Sequence, residues 1–551
     1  MNQNAQGIIT EYLNFFPQEK RRLTEIIERF PLGKSIVSRT DFIGHITVSA
    51  FVFSPDKKNV LLIYHKQLQK FLQPGGHIEN SDVSLLDACR RELKEETGLQ
   101  DPLLFNLTGH EIPIDIDIHL IPANKRKNEP EHLHYDFCFV FVAQSTEIEI
   151  QREEVTNYKW TTASKIKGNE RLKNILQKVN FLLDQKKPMI FFRSIIGCSR
   201  QDVSFFVVTH ILKDRPFFLE ALSSLGNIEG IIPKSNSINK EVLKVISDRF
   251  PILPLTKASL YDVNTLSPYI EKSKNRIILL DIGGYFAPII NELKEQFPEK
   301  IIGVVEDTEN GYQKYVALPS LNVPLFSVAR SVLKENEDFL VGESVVFSTD
   351  AVLREYNMLF DYLQCGVIGY GKIGKSIAFN LQRRNIKPYV YDMRATREVE
   401  AVNNGCYVTS KKYLLEESGI IFCATGNESL STNDFTSLKN GVFIISVTSS
   451  DDEMDLSSLE KIYAKQEITT HITKYYNENN YFYLVNKGNA VNFIHGAVVG
   501  SSIFLVQAEI LLCVLELSQK KCHNGIQELQ CEKRDDIAEK WLQVFNRTLE
   551  E

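Results

Sequence analysis

The sequence predicts a multidomain α/β protein, and three observations carry that prediction. Its 551 residues exceed what one hydrophobic core ordinarily organises, so several domains are expected. Up to residue 187 short alternating strands surround one charged helix; from 188 onward apolar strands and helices alternate, the rhythm of parallel sheets wound with helices. Two glycine-bearing loops, "PGGHIENSD" (74–82) and "GYGKIG" (369–374), each run into a helix, as ligand-binding loops do. The expected order is an α/β/α sandwich on a mixed sheet (1–187) and then a two-domain, doubly wound region. In that region two domains are expected, 188–345 and 346–499.

Composition narrows the function classes. The chain is 43% hydrophobic and 24% charged, with net charge −7, so no broad basic surface advertises nucleic-acid or bilayer binding. The nine cysteines are scattered without CxxC pairs, which predicts buried thiols in a reducing, cytoplasmic compartment. The polar start "MNQNAQGIITEYLNFFPQEKRRL" predicts a helix and not a secretion signal. The apolar stretch 497–517 approaches membrane length, but Gln507, Glu509 and Glu516 within it predict a buried core helix.

In chain order, residues 1–35 predict a lead-in helix pair, followed by strands at 45–54 and 59–66. The charged helix comes next, then strands at 134–143 and 158–162 and a helical linker over 163–187. Strands are then expected within 203–210, 276–284, 300–307, 365–371, 387–392, 418–426 and 441–448.

The charged helix raises the first chemical question. In "LLDACRRELKEETGL" (85–99), Glu92, Glu95 and Glu96 stand at i, i+3 and i+4 and share one helix face. Three crowded carboxylates repel unless a cation lies between them, and Mg²⁺ or Mn²⁺ favours that oxygen set together with phosphate. Ser81 or Asp82 is expected to cap the helix start, and Gly98 its end. The alternative is a solvated face with pairs such as Arg91–Glu95. With its preceding glycines, "GGHIENSDVSLLDACRRELKEETGL" resembles the Nudix box. Arg91, Glu92, Leu93, Glu95, Glu96, Gly98 and Leu99 all fit, while the spacing from Gly76 to Arg91 is one residue longer than usual and the acid there is Asp82. The resemblance implies metal-assisted hydrolysis of a nucleoside diphosphate-linked compound. Glu92, Glu95, Glu96 and the Gly76 carbonyl would hold the metal, Arg91 would orient the glutamates, and Glu153 or Glu154 would supply a further acid.

The second loop, "CGVIGYGKIGKSIAFNLQRRNIKPYVYD" (365–392), carries Gly369, Gly371 and Gly374 as G-x-G-x-x-G. Lys372 and Ile373 open the helix, and a second strand ends at Asp392. That context predicts a Rossmann-type site, with Asp392 on the ribose hydroxyls and NAD preferred over NADP.

Residues 200–510 resemble S-adenosylhomocysteine hydrolase along a colinear trail. "THILKDRPFFLEALSSLG" (209–226) resembles that family's histidine-bearing helix and puts His210 at a substrate position. "LLDIGG" (279–284) brings Asp281, and "VVEDTENG" (304–311) brings Asp307 and Thr308. "SVLKENEDFLVGES" (331–344) brings Lys334 and Asp338; "ATGN" brings Thr425 and Asn427, and "AVNF" brings Asn492. Thr308, Thr425, Asn427 and Asn492 are thereby implied as cofactor contacts, and His210, Asp281, Asp307, Lys334 and Asp338 as a second substrate site. The resemblance alone implies that 500–551 completes the domain over 188–345. A dimer or tetramer is implied as well.

The departures from the family are Ile282 for a second acid, Asp307 for a glutamate, and Glu309 and Asn310 for threonines. Phe339 replaces an asparagine, Ser449 stands at a histidine position, His495 is displaced, and the chain ends in "NRTLEE" without the family's basic tail. The expectation is a Nudix hydrolase fused to a NAD-binding module that does not hydrolyse adenosylhomocysteine. The alternatives are a C-terminal redox enzyme for another nucleoside and a regulatory nucleotide-binding protein. His132 and His134 in "EHLHYDF" share a strand face, but the sequence shows no third ligand near them, so they read as strand histidines or substrate contacts. The run 124–129 reads as a solvated loop.

Overall fold

The computed structural model describes residues 1–30, 36–66, 69–100, 102–106, 110–123, 129–150, 155–162, 169–197, 201–447, 454, 456–519 and 522–546. The expectations on Glu153, Glu154, Ser449 and most of 124–129 lie outside the described residues. The described chain divides into two units, Met1–Lys187 and Pro188–Asn546.

The first unit opens with helices α1 (Asn2–Phe15) and α2 (Thr24–Arg29). Its sheet contains β1 (Gly44–Phe53), β2 (Asn59–His65), β3 (Lys70–Leu72) and β4 (Gly75–His77), then, after helix α3 (Leu85–Thr97), β5 (Leu103–Leu104), β6 (Asp115–Ile121), β7 (His132–Val142) and β8 (Val155–Thr162). The strand order is β3-β2-β1-β7-β5, with β4 on β1, β6 on β7 and β8 on β2. The sheet is mixed: β1 and β7 are parallel, with His45 opposite His134, while β6 joins β7 antiparallel, with His119 opposite His134. Gly75–His77, expected as loop, pairs with β1 as a short antiparallel strand. Helix α4 (Glu170–Ile196) follows, and Leu172, Ile175, Val179 and Leu182 along it join Tyr12, Phe51, Phe137 and Leu93 in one core. The helix runs on beyond the expected limit of 187, with Pro188 inside it.

The second unit holds two sheets. One is parallel throughout, built from β9 (Val203–Ile211), β10 (Asn227–Ile238), β11 (Arg276–Asp281), β12 (Ile301–Glu306), β13 (Pro324–Ser327) and a last strand, Gly525–Gln527, in the order β10-β9-β11-β12-β13-last. The other contains β14 (Cys365–Ile368), β15 (Tyr389–Tyr391), β16 (Tyr407–Val408), β17 (Ile420–Cys423), β18 (Val442–Ser446), β19 (Ala464–Glu467), β20 (Ile472–Tyr476) and β21 (Tyr481–Val485). Its order is β16-β15-β14-β17-β18-β21-β20-β19, parallel until the antiparallel β19–β20–β21 meander. The order reverses at β14, the switch point at which such sheets bind ligands.

Helix Ile503–Gln519 is long and apolar enough to cross a membrane by composition, but it is mostly buried within its unit. Its fully buried Glu509 accepts from Arg534 Nε at 2.7 Å and from Ser331 Oγ at 2.5 Å, as a buried charge requires.

Candidate functional site

Helix α3 begins one turn later than expected. Ser84 Oγ accepts from the Asp87 amide at 3.1 Å and forms the cap, in place of Ser81 or Asp82. Asp82 is drawn elsewhere: its two oxygens take Nε and Nη2 of Arg91, both at 3.0 Å, and the Glu79 amide at 2.7 Å. Although burial opposes it, the Arg91 hydrogen bond holds the Asp82 carboxyl below its ordinary range. Arg91 also donates to the His77 carbonyl at 2.8 Å, to Glu92 Oε1 at 3.1 Å and to Glu95 Oε2 at 3.2 Å. One guanidinium thus ties strand β4 to the carboxylate face of α3. Gly98 ends the helix in the left-handed region at φ 64°.

The preceding glycines meet the same acids. Gly75 donates its N–H to Glu96 Oε2 at 2.7 Å, and a Cβ on Gly76 would stand 2.5 Å from Glu92 Oε2. Only glycine lets the Glu92 carboxylate lie against this backbone. Glu96 is buried, whereas the Glu95 side chain is 49% exposed at the rim. The carboxylate oxygens of Glu92, Glu95 and Glu96 on one helix face are the donor type that suits a hard divalent cation. The carboxylates do not converge on one point; Arg91 stands between Glu92 and Glu95.

Among the described residues, the trio whose ligand atoms all lie within 4.8 Å of one another is His45, His77 and His134. His134 therefore does have further histidines at metal-ligand range, brought from β1 and β4. Burial and the surrounding histidines push His134 down to about 3, and burial also lowers His45.

In the second unit, Gly369 (φ 94°) makes the turn out of β14. A Cβ on Gly369 would meet Ala424 O at 2.7 Å, and one on Gly374 would meet Gly369 O at 1.9 Å, so the protein itself demands both glycines. Gly371 differs. It caps the helix Lys372–Gln382, and a Cβ there would meet nothing nearer than Arg397 Nη1 at 3.8 Å. Its missing side chain leaves the helix N-terminus open towards a ligand. Lys372 donates to Ala329 O at 3.1 Å, and Ile373 packs at the edge of the core. Asp392 is buried at the end of the neighbouring strand and accepts from the Tyr370 amide at 2.7 Å and the Arg394 amide at 2.9 Å. Thr425 Oγ1 binds the Asn427 backbone within its own loop. Asn492 is buried, and its Oδ1 has no hydrogen-bond partner, as expected for an acceptor that a cofactor would satisfy.

His210 sits at the end of strand β9, as the strand expected over 203–210 has it, and not on the helix that the family resemblance implied. The β-branched and aromatic run before it extends the chain, and the helix starts only at Arg215. Its ring packs on Phe493 at 5.1 Å, its Nδ1 meets Ser237 Oγ, and burial keeps it well below its ordinary pKa. Lys334 pairs with Glu337 and lies 3.3 Å from Asp338 Oδ1, while Lys372 Nζ is 3.9 Å from Asp338 Oδ2. Burial pushes Glu337 up to about 7. Glu337 was not singled out in the sequence; its i+3 spacing from Lys334 was the available signal. Asp307 Oδ1 is buried without a partner.

Asp281 and Thr308 are engaged locally. Asp281 accepts the Tyr285 and Phe286 amides and the Tyr315 hydroxyl. Thr308 caps the helix Glu309–Val316 and donates to Glu306. Glu306 is fully buried under the Gly283, Gly284 and Thr308 amides.

Residues 44–179 match the NUDIX domain, and residues 339–498 match the NAD binding domain of S-adenosyl-L-homocysteine hydrolase. An adenosylhomocysteinase from Thermotoga maritima is 27% identical over 274 residues, covering 48% of this chain and 66% of the relative. Another from Acinetobacter baylyi is 28% identical over 236 residues, covering 39% and 50%. The chain thus spans less than two thirds of the length of these curated relatives. A solved NUDIX-family hydrolase from Clostridium perfringens is 28% identical and covers 25% of this chain and 95% of its own, with a TM-score of 0.20.

Proposed function

From a chain that carries a NUDIX domain at 44–179 and an S-adenosyl-L-homocysteine hydrolase NAD binding domain at 339–498, we propose the following function. The N-terminal half is a metal-dependent hydrolase that cleaves the pyrophosphate of a nucleoside diphosphate-linked compound. The C-terminal half binds NAD beside an adenosine-like ligand and does not hydrolyse adenosylhomocysteine.

The observation that carries the first claim is Arg91, which Asp82 grips through two 3.0 Å bonds and which reaches Glu92, Glu95 and the β4 backbone together. Glu92, Glu95, Glu96 and the Gly76 carbonyl are the groups to hold Mg²⁺ or Mn²⁺, which supplies charge neutralisation at the pyrophosphate and an acidified water. Arg91 keeps the carboxylate face turned to the glycine loop. Glu95, at the exposed rim, is placed to take the proton as water oxygen attacks phosphorus and the bridging P–O bond breaks.

In the second half Gly369, Gly371, Lys372, Ile373 and Gly374 are the groups to cradle the dinucleotide pyrophosphate. Asp392 faces the ribose, and Thr308, Thr425, Asn427 and Asn492 are the remaining contacts. NAD bound there supplies a hydride acceptor. Ile282 and Phe339 at positions where the family has an acid and an asparagine support binding without hydrolysis. One observation favours turnover on another nucleoside: Lys334, Glu337 and Asp338 form a buried acid–base cluster, and the Lys334 charge bears on His210. Among the described residues the eight cysteines are all free and six are buried, while Cys522 is half-buried and Cys531 exposed, against the expectation that all are buried; free thiols support a reducing cytoplasmic location.

The test is a Mg²⁺-dependent screen of nucleoside diphosphate-linked compounds, with wild type beside Glu95→Gln and Glu96→Gln and with mass spectrometry of small molecules released on denaturation. Hydrolysis by wild type alone, with NAD released, is expected. Equal rates in the three proteins would refute the metal helix, and absence of NAD after loading would refute the second cleft.

A further inference from the structure

Five histidines from four strands of the N-terminal sheet share one polar face: His45 on β1, His77 on β4, His119 on β6, and His132 and His134 on β7. Register brings them together, because residues directly opposite on neighbouring strands point to the same face. His45 lies opposite His134 and His119 opposite His134, while His77 lies opposite Thr47, two residues along from His45. Ring centroids are 4.7 Å apart for His45–His134, 5.2 Å for His45–His77 and 5.3 Å for His77–His134.

The hydrogen bonds orient the nitrogens. His45 Nδ1 faces the Asp41 carbonyl at 3.2 Å, His132 Nδ1 the Pro130 carbonyl at 2.7 Å, and His119 Nδ1 the Asp117 carboxylate at 2.9 Å. Each acceptor fixes the proton on Nδ1 and leaves the Nε2 lone pair as a ligand, the arrangement that outer partners impose on metal-binding histidines. His45 Nε2 is buried and makes no hydrogen bond, an orphaned acceptor in a protein interior. His132 Nε2 and His134 Nε2 stand 3.3 Å apart. Tetrahedral ligands with metal–nitrogen bonds of about 2.0–2.1 Å are separated by roughly 3.4 Å. The trio within 4.8 Å reaches that spacing by small ring rotations.

We propose that His45, His77 and His134, with His132 alongside, bind a borderline divalent transition ion of the Zn²⁺ class, at a site separate from the carboxylates of α3. Imidazole nitrogens prefer such ions over Mg²⁺, which requires oxygen. Three protein ligands leave a coordination position open, and His77 follows Gly76, whose carbonyl is among the groups proposed to hold Mg²⁺ or Mn²⁺. The open position is therefore available to an anionic group of the hydrolase ligand. Metal binding by the histidines does not depend on the function proposed above; only the occupant of the open position rests on that reading.

The experiment uses the full chain, stripped with chelator and dialysed against Zn²⁺ in a large excess of Mg²⁺. Elemental analysis is expected to give one retained Zn²⁺ per chain. His77→Gln and His134→Gln are expected to weaken it at least a hundredfold, the upper end of what even outer partners cost (~10–100-fold). Glu95→Gln is expected to keep it while losing hydrolysis, so failure of the hydrolase reading and failure of this site are distinguishable. X-ray absorption of the Zn²⁺-loaded wild type needs no variant and is expected to show imidazole scattering. No retained Zn²⁺, an oxygen-only shell, or Zn²⁺ lost in Glu95→Gln but kept in the histidine variants would overturn the proposal.

Discussion

The glycine loop before α3 and the glycine loop after β14 use the same residue for different ends. At Gly76 the missing side chain admits a carboxylate of the protein itself, Glu92, to the backbone. At Gly371 the missing side chain leaves open space, and only Gly369 and Gly374 are demanded by protein packing. Polar satisfaction follows the same division. Around α3 the key acids are gripped by Arg91 or a backbone amide, whereas the second unit leaves Asn492 Oδ1 and Asp307 Oδ1 buried without partners. The acids around α3 are satisfied by the chain itself, whereas the proposed cofactor and substrate site of the second unit keeps two buried acceptors unsatisfied.

The largest effect expected is in the second unit. Lys334→Met leaves Glu337 buried without its cation and Asp338 with only Lys372 Nζ at 3.9 Å, a change that typically costs about 3–5 kcal/mol. Because Glu337 titrates near 7, it can neutralise by taking a proton in mild acid, so the loss measured by denaturant unfolding is expected to be larger at pH 8 than at pH 6. A pH-independent loss would show that the pair is not the cause.

Around α3 the change is in rate and not in stability. Glu96→Gln keeps the size and one acceptor for the Gly75 amide but removes a charge, and is expected to lower Mg²⁺-dependent hydrolysis at least about a hundredfold, ~2.7 kcal/mol. Its unfolding midpoint should stay near wild type. A folded variant with full activity would remove Glu96 from the metal face.

The third test separates the two kinds of glycine within one loop. Gly374→Ala drives a Cβ into Gly369 O and is expected to cost about 1–3 kcal/mol of stability. Gly371→Ala meets no protein atom closely, so stability should change little while NAD affinity, read by calorimetry, falls. Equal destabilisation by both would make Gly371 a packing residue.

What the sequence made legible follows from how each site is written in the chain. The carboxylate face and G-x-G-x-x-G lie within single runs, where spacing alone dictates geometry. The histidine cluster was not legible, because His45, His77, His119 and His134 come from four strands and meet only through sheet register. His132 and His134 therefore looked like a pair without a third ligand. The cap at Ser84 was missed because Asp82, the better-looking cap, is taken by Arg91 across nine residues. His210 was legible at the end of the strand expected over 203–210; only the family resemblance, which carries a helix over 209–226, began that helix too early, since it starts at Arg215.

The smallest expected effect is a divergence of the two units with pH. Glu306 is raised from 4.5 to about 8 by burial and by Asp281, against the amides that favour its charge. Between those values the folded state holds a proton that the unfolded chain has released, so stability falls as pH rises. His134 is lowered from 6.5 to about 3, so the unfolded chain binds the extra proton and stability falls as pH drops below 6.5. His210 adds an acid-side loss to the second unit, and Glu337, raised to about 7, adds to the alkaline-side loss that Glu306 leads, so the two units are compared at alkaline pH. From pH 7 to 8 the second unit is expected to lose on the order of 1 kcal/mol while the first stays level. Hydrogen exchange followed by mass spectrometry reads the two units separately in one sample. Parallel curves would mean that Glu306 keeps its charge when folded, and that the four donors around it outweigh its burial.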